Sequence, residues 1–542
     1  MPHSARIPPR LYSAIVLKSQ EKCRVVLLAL IPILGIAANL AVWNEGPPGP
    51  GSTSGHEGVN GMIQSNPAMG PLRVHPSNPR YFTDDSGKAI YVTGSHTWTN
   101  LEDIWITDPP RVFDYTAYLD FMQQHNHNFM RMWRGEHPKY RYSSFPTFAY
   151  SNPHPWERTG PGNAGDGKPK FDLTELNQAY FDRLRSRVIA AREREIYVSI
   201  MLFEGHATQF ATEAWFSHPF NINNNVNGID GDSNGDGQGL EIYTLQIPEV
   251  TALQEAYVRK VVDTVGDLDN LLYEIANEIG PYSTDWQYHM INYIKSYEAG
   301  RPNQHPVGMT YQYEGGDNVD LFNSPADWIS PGQPGSEPAS YKNDPPAADG
   351  SKVIILDTDH LWGVSGAKRT WVWKSFLRGH NPIYMDSYYD DSPFGPPADE
   401  SIRESMGYTL RYTDKMNLAA MTPRGNLAST RYCLANPVAR GAEYLVYLPS
   451  GGTVTVDLSA SPGELTVAWF NPSTGVTIYE GMTTGGAERS FTAPFGGDAV
   501  LHIWDSPVFH FYGVVYRALE RRLERLDRFL QVFRWMFRWA NP

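Results

Sequence analysis

The sequence predicts a (β/α)8 barrel, an α/β fold, followed by a small antiparallel β-sandwich. Three observations carry the prediction. Eight short apolar runs alternate with helical patterns between residues 89 and 386, which is the signature of parallel strands joined by helical crossovers. No glycine-rich phosphate loop follows the first run, which disfavours a dinucleotide-binding sheet. After about residue 428 the texture changes to short alternating runs separated by Gly, Ser and Pro turns, as in a sandwich of antiparallel strands. A chain of 542 residues is too long for one compact core, so two folded domains with tails are expected.

Residues 1–43 read as a signal peptide or membrane anchor. Arg6, Arg10, Lys18, Lys22 and Arg24 precede the uncharged run from Val25 to Trp43. A basic flank before an apolar run is an export signal, and the run is at the lower limit for spanning a bilayer. The protein is therefore expected to be secreted or otherwise extracytoplasmic, free or membrane-anchored. Residues 44–71, rich in Gly, Pro and Ser, read as a linker.

The barrel is assigned to residues 72–427. Its strands are expected at 89–95, 128–133, 196–203, 271–276, 306–310, 326–330, 352–356 and 382–386, with helices at 174–194 and 247–266. Residues 428–506 form the sandwich, with strands at 454–458, 465–470 and 499–504. The last segment, 507–542, places Leu519, Leu523, Leu526, Leu530, Phe533 and Phe537 at helical spacing among many arginines. This basic amphipathic helix suits an anionic membrane surface, another helix, or the protein's own body.

Composition narrows the function. The net charge of −14 argues against a nucleic-acid partner. The two cysteines, Cys23 and Cys433, leave no intrachain disulfide once the N-terminal segment is removed, and no Cys/His cluster has zinc spacing. Aromatic residues make up 13% of the chain, which suits stacking on sugar rings as well as a large core.

Catalytic groups of such barrels stand at the C-terminal tips of the strands. The run Leu271-Leu-Tyr-Glu-Ile-Ala-Asn-Glu-Ile-Gly280 delivers Asn277 and Glu278 to one tip, as a catalytic pair or as a cap for the next helix. Glycoside hydrolysis needs two carboxyls, one to protonate the leaving oxygen and one to attack carbon or activate water. Asp357 and Asp359, after the seventh run, are candidates for the second; strand parity puts them on one side if the extended conformation continues. Further groups expected to bind substrate are His96, Trp98, Arg131, Trp133, Glu204, His206, Tyr311, His360, Trp362 and Asp386. A guanidinium such as Arg131 beside a carboxylate helps to keep it ionised. His96, His206 and His360 lack the close spacing of a catalytic metal site, so no cofactor is expected for catalysis.

A separate signal is Asp230-Gly-Asp-Ser-Asn-Gly-Asp-Gly-Gln-Gly-Leu-Glu241. Asp230, Asp232, Asn234 and Glu241 occupy the oxygen-ligand positions 1, 3, 5 and 12 of a calcium loop, with Gly235 at position 6 and the Asp236 carbonyl at position 7. A structural Ca2+ is expected there, the alternative being a solvated acidic loop.

With these residues in place the chain resembles a known family. Asn78-Pro-Arg-Tyr-Phe-Thr-Asp84, Tyr91-Val-Thr-Gly-Ser-His-Thr-Trp98, Asn128-Phe-Met-Arg-Met-Trp133, Tyr273-Glu-Ile-Ala-Asn-Glu278 and Asp357-Thr-Asp-His-Leu-Trp-Gly363 look like the apiosidase-like (β/α)8 glycoside hydrolases. Tyr432-Cys-Leu-Ala-Asn-Pro437, Glu443-Tyr-Leu-Val-Tyr-Leu-Pro449, Trp469-Phe-Asn-Pro-Ser-Thr-Gly475 and Thr492-Ala-Pro-Phe-Gly-Gly-Asp498 resemble the β-domain that carries a collagen-binding label. The resemblance spans residues 72–505. It implies a hydrolase of oligo- or polysaccharides, with Glu278 as general acid/base and Asn277 as a ligand of the sugar 2-hydroxyl. Aspartates stand at the seventh strand where the wider clan has glutamate. The shorter side chain could widen the carboxyl gap from roughly 5.5 Å, the retaining geometry, towards the inverting range. The competing reading is a non-catalytic surface protein that binds glycan or matrix.

Overall fold

A computed structural model describes residues 70–334 and 341–505. The N-terminal segment 1–43, most of the expected linker, Cys23 and the helix expected over 507–542 lie outside the described residues.

Eight parallel strands form the barrel: β1 (Gly94–His96), β2 (Phe129–Met132), β3 (Tyr197–Glu204), β4 (Leu271–Asn277), β5 (Val307–Thr310), β6 (Trp328–Ser330), β7 (Val353–Asp357) and β8 (Asn381–Met385). Hydrogen bonding runs β1-β8-β7-β6-β5-β4-β3-β2. The seam between β1 and β2 is bridged by Asn128, whose N–H donates to Thr93 O at 3.0 Å while its Oδ1 accepts the Thr93 N–H at 2.9 Å. Gly94 is required there, because a Cβ would collide with the Phe129 carbonyl. Every residue of β4, and all but the first of β3, is buried. Strands covered on both faces read as continuous apolar runs, which is why these two are so plain in the sequence.

The outer layer contains α1 (Tyr115–Gln124), α2 (Gln178–Arg192), α3 (Pro248–Val265), α4 (Thr284–Glu298), α5 (Asn318–Asn323), α6 (Arg369–Leu377) and α7 (Glu400–Thr413). Local chemistry sets their starts. Asn177 caps α2 by accepting the Ala179 N–H, Pro248 opens α3, and Asp399 caps α7 at the Ser401 N–H. The helix expected over 174–194 begins later, because residues 169–176 form one arm of a hairpin with Trp156–Asn163. Between β6 and β7 no helix occurs among the described residues. The long excursion after β2 also contributes Lys139–Tyr140 and Ala149–Asn152 to a three-stranded sheet with Asp103–Trp105.

The sandwich comprises β9 (Cys433–Asn436), β10 (Glu443–Leu448), β11 (Thr453–Asp457), β12 (Glu464–Asn471), β13 (Val476–Thr484), β14 (Glu488–Thr492) and β15 (Ala499–Trp504). Residues 422–423 join β9, β10, β15, β12 and β13 in one antiparallel sheet, and β11 pairs with β14. Val454 and Val456 point into its core while Thr453 is exposed, the period-two pattern of a one-faced strand. Cys433 is buried there as a free thiol. Barrel and sandwich share a core: Trp373, Phe376 and Leu377 of α6 and Tyr412 of α7 pack with Leu434, Leu445, Tyr447, Phe470 and Val500. The Arg369–Asp498 ion pair, at 2.7 Å, reinforces that contact.

Candidate active site

The site is organised by Arg131, the central guanidinium of β2. It is buried, and its Nε and Nη2 donate to Glu274 at 2.9 and 2.5 Å. Nη1 donates to Asp357 at 2.9 Å and to Asp359 at 3.1 Å, and Nη2 donates to Asn277 Oδ1 at 2.7 Å. Four side chains from the tips or interiors of β4 and β7 are thus gathered around one cation, which the planar fork of arginine permits and a lysine would not.

The two aspartates are not equivalent. Asp357 is fully buried. His96 Nε2 lies 2.9 Å from one of its oxygens, Arg131 holds the same oxygen, and the Asp359 N–H donates to the other at 2.9 Å. Burial would raise its pKa, but His96 and Arg131 together hold it well below the usual carboxylate range. Asp359 is more open. Burial, with the neighbouring Asp357 charge, pushes it up to about 6 against the pull of Arg131. Strand parity is not what brings the pair together. The strand ends at Asp357, and Asp359 opens a helical turn through Trp362. The carboxyls converge because Asp357 catches the Asp359 backbone and both reach Arg131.

Glu278 faces this cluster from the tip of β4. It does not cap the next helix: α4 starts at Thr284 after a 3-10 turn, with Ser283 at its cap position. Its backbone is left-handed, φ 46°, a conformation that costs a non-glycine residue about 1 kcal/mol or more and marks functional positions. The Glu278 carbonyl is pinned by Gln209 Nε2 at 2.8 Å. Burial first, and then the Asp359 charge, raise its pKa well above the normal value. Asn277 is fixed by its bond to Arg131 and by His360, 3.4 Å away, which in turn shares a 2.7 Å hydrogen bond with Ser330. Burial lowers the His360 pKa to about 3, so the ring is neutral.

The other expected residues divide. Glu204 lies beside the cluster and caps the short helix His206–Phe210 through the His206 N–H at 2.9 Å; burial raises its pKa to about 8. His206 Nε2 stands 3.9 Å from Glu278 Oε2. Trp133 stacks with His96, rings 6.2 Å apart, and meets Trp98 edge-on. Tyr311 is tied to Gly316 O at 3.0 Å and is buried. Trp362 packs edge-on against Trp371, 5.5 Å away. Asp386 has no part in the cluster, since both its oxygens are held by Arg403 at 2.7 and 2.8 Å.

Sequence reading missed Glu274 and Tyr142. Glu274 did leave a signal, an acid inside an otherwise apolar strand, which must be paired to be buried. Tyr142 left none. It stands in the excursion after β2, shares a 2.7 Å hydrogen bond with His206 Nδ1, and its pKa is raised by burial and then by carboxylates that include Glu204, Glu278 and Asp359. Ring contacts link Tyr142 through Phe145 and Phe394 to Trp98 on one side, and to His206, Phe210 and Tyr313 on the other.

Asp357, Asp359 and His360 form the one grouping among the described residues whose ligand atoms lie within 4.8 Å of one another. Arg131 already donates to both of these carboxyls. In the acidic loop, Asp232 accepts the N–H groups of Gly235, Asp236 and Gly237 at 3.1, 3.2 and 2.8 Å, and Asn234 Oδ1 accepts the Asp236 N–H at 2.7 Å. Gly235 has φ 73°, as the sharp turn at that position demands. Asp230 is exposed, whereas Glu241 is buried with Oε2 lacking a hydrogen-bond partner. Gly237 and Gln238, with Thr212, Trp215 and Phe216, line a hollow of about 470 Å³ that contains none of the clustered carboxyls.

Comparison with known proteins bears on the fold. A family model described as a domain of unknown function, DUF6298, matches residues 120–320, and one described as "Putative collagen-binding domain of a collagenase" matches residues 425–503. A solved structure described as a glycoside hydrolase superposes with TM-score 0.52 at 13% identity, covering 81% of this chain and 97% of its own. A glycoside hydrolase family 5 structure from Bacteroides vulgatus superposes with TM-score 0.52 at 16% identity, covering 80% and 94%. The chain has the fold of the barrel glycoside hydrolases. No curated protein matches it in sequence. The sandwich assigned from sequence coincides with the collagen-binding match, while the apiosidase-like subtype finds no counterpart in these descriptions.

Proposed function

We propose that the protein is an exported glycoside hydrolase. The observation that carries the reading is the opposed environment of two carboxyls at facing strand tips. Glu278 is held protonated by burial and by the Asp359 charge, while Asp359 ionises near pH 6 beside Arg131. Paired carboxyls whose environments push them apart divide into acid and base. Glu278 gives its proton to the leaving glycosidic oxygen as the bond to the anomeric carbon breaks. Asp359 supplies the other carboxylate, either attacking that carbon or taking the proton of an attacking water. Asp357, saturated by His96, Arg131 and a backbone N–H, positions the guanidinium and does not touch substrate. Asn277 presents its amide to a sugar hydroxyl, and the partly exposed Trp98 packs on a sugar ring, backed by the buried Trp133.

The test is turnover by Glu278→Gln across a panel of oligo- and polysaccharides. Loss of about three orders of magnitude or more on unactivated glycosides, with unchanged thermal unfolding, is expected from removing a general acid. Near-normal turnover would overturn the assignment. No turnover by the wild type, with clear retention of glycan, would favour a binding protein instead.

The acidic loop suits a structural Ca2+. The support is the twelve-position spacing of its oxygen side chains and the left-handed Gly235 at the sharp turn; the Asp230, Asp232 and Glu241 carboxyls do not form a ligand cluster in this structure. Export rests on the basic and apolar pattern of residues 1–43, and membrane contact on that segment and the basic amphipathic pattern of residues 507–542.

A further inference from the structure

We infer that Phe210 and Tyr313 form the binding subsite for the leaving group, and that its occupant is a second sugar ring. This rests on the assignment of Glu278 as the proton donor. The group next to a general acid, on the side away from the attacking carboxyl, is the part of the substrate that departs. Beside the acid the structure presents exposed aromatic surface. Phe210 is 43% exposed and Tyr313 39%, their rings are 5.7 Å apart, and His206 lies against both at 4.8 and 5.9 Å. His206 in turn stands 3.9 Å from the Glu278 carboxyl.

The patch is built rather than incidental. Gln209, beside Phe210, donates to the carbonyls of both Glu278 and Tyr313, at 2.8 and 3.0 Å. One side chain thereby ties the two aromatic segments to the acid's own backbone. Tyr142 fixes the imidazole from the other side. Burial lowers the His206 pKa to about 4, so the ring adjoining the patch is neutral and offers a polar edge between two apolar faces. Two exposed rings with a polar edge between them match a pyranose or furanose, whose C–H face packs on an aromatic plane while its hydroxyls seek hydrogen bonds. A leaving group without a ring face would gain little from them.

The experiment compares two substrates sharing one glycone: a glycosyl fluoride, whose small leaving group reaches no such subsite and departs without a proton, and the corresponding disaccharide. The glycone is the one that the wild type hydrolyses in a panel of glycosyl fluorides. In Phe210→Ala and Tyr313→Ala the ratio of kcat/KM on the disaccharide to that on the fluoride is expected to fall about tenfold each, which corresponds to ~1.4 kcal/mol. Phe210→Trp and Tyr313→Phe, which keep a ring, are expected to hold the ratio near the wild-type value. A ratio unchanged in the alanine variants, or lowered equally in the ring-preserving ones, would overturn the subsite. Glu278→Gln separates the two claims. Retained fluoride hydrolysis with lost disaccharide hydrolysis supports the acid, whatever the aromatic variants show. Loss of fluoride release as well in kcat/KM, which excludes the later step at which Glu278 would serve as base in a retaining reaction, or a wild type inactive on every fluoride and disaccharide, overturns the acid assignment and with it the subsite.

Discussion

Arg131→Lys tests the arrangement at its centre. The guanidinium makes five hydrogen bonds to Glu274, Asp357, Asp359 and Asn277. An ammonium keeps the charge but has three donors on one nitrogen, so at least two of the five bonds are lost. Hydrogen bonds to charged groups are worth about 1.5–3 kcal/mol each, which puts the stability loss at roughly 3–6 kcal/mol, large against a total of about 5–15 but not necessarily fatal. Catalysis is expected to change in a particular direction. Arg131 opposes the burial and the Asp357 repulsion that raise the Asp359 carboxyl to about 6. With one bond to Asp359 weakened by ~1.4 kcal/mol, that carboxyl titrates about one pH unit higher. The assay is the pH dependence of kcat/KM on a glycoside that the wild type cleaves, with thermal unfolding beside it. Wild-type activity is expected to fall as the pH drops below about 6, and in the variant this acid limb should move upwards. An acid limb that stays in place in a folded Arg131→Lys variant would mean that Asp359 is not the group whose ionisation drives the reaction.

Other outcomes follow from the same structure. Because folding raises the Asp359 pKa, the folded state holds that proton more tightly than the unfolded chain; the corresponding stability is present at low pH and is lost as the pH rises through about 6. Asp359→Asn never ionises, so it should unfold at a higher temperature than the wild type at pH 8, by up to ~3 kcal/mol of stability, while losing turnover; a lower unfolding temperature at pH 8 would contradict this. Addition of Ca2+ to chelator-treated protein should raise the unfolding temperature, and Glu241→Gln should blunt the rise; a protein indifferent to Ca2+ would leave the acidic loop as a self-capped turn. Trp373→Ala, which empties a fully buried site shared by α6 and the sandwich, should cost about 3–5 kcal/mol and raise proteolysis near residues 422–433, with a smaller effect on catalysis; intact resistance to protease would argue that the two domains do not rely on this contact.

What could be read from the sequence was what has a local period or a local motif. The barrel strands were visible because both faces are covered, and Glu278 because it ends such a run. Arg131 was legible as a lone cation within Phe129-Met-Arg-Met132. The site fared less well wherever a role depends on a distant partner. Asp386 ends a strand as Asp357 does, but Arg403 of α7 takes both its oxygens, and no pattern around Asp386 reveals that. Glu274 was readable in principle: a carboxyl four residues before Glu278, within an apolar strand, has to meet a cation. Tyr142, Phe210 and Tyr313 come from excursions without a period, and only the folded chain brings them to the acid.

The division of labour among the carboxyls follows from a shortage of positive charge. Glu274, Asp357, Asp359 and Glu278 lie around or beside one guanidinium, and the neighbouring His360 and His206 are held neutral by burial. Glu274 claims the cation most fully, taking two of its donors, and Asp357 takes one while sharing the same oxygen with His96. Little is left for the last two. Asp359 keeps a single bond to Arg131 and ionises near pH 6, and its charge then opposes ionisation of Glu278. Acid and base are thus set by order of access to Arg131. A second cation placed near Glu278 would collapse that order, because it would let both carboxyls ionise and leave no proton to give. On this reasoning His206→Lys should be more damaging to glycoside turnover than His206→Ala, although it adds a donor where alanine adds none. The opposite ranking would show that His206 itself, and not the scarcity of charge around Glu278, sustains the acid.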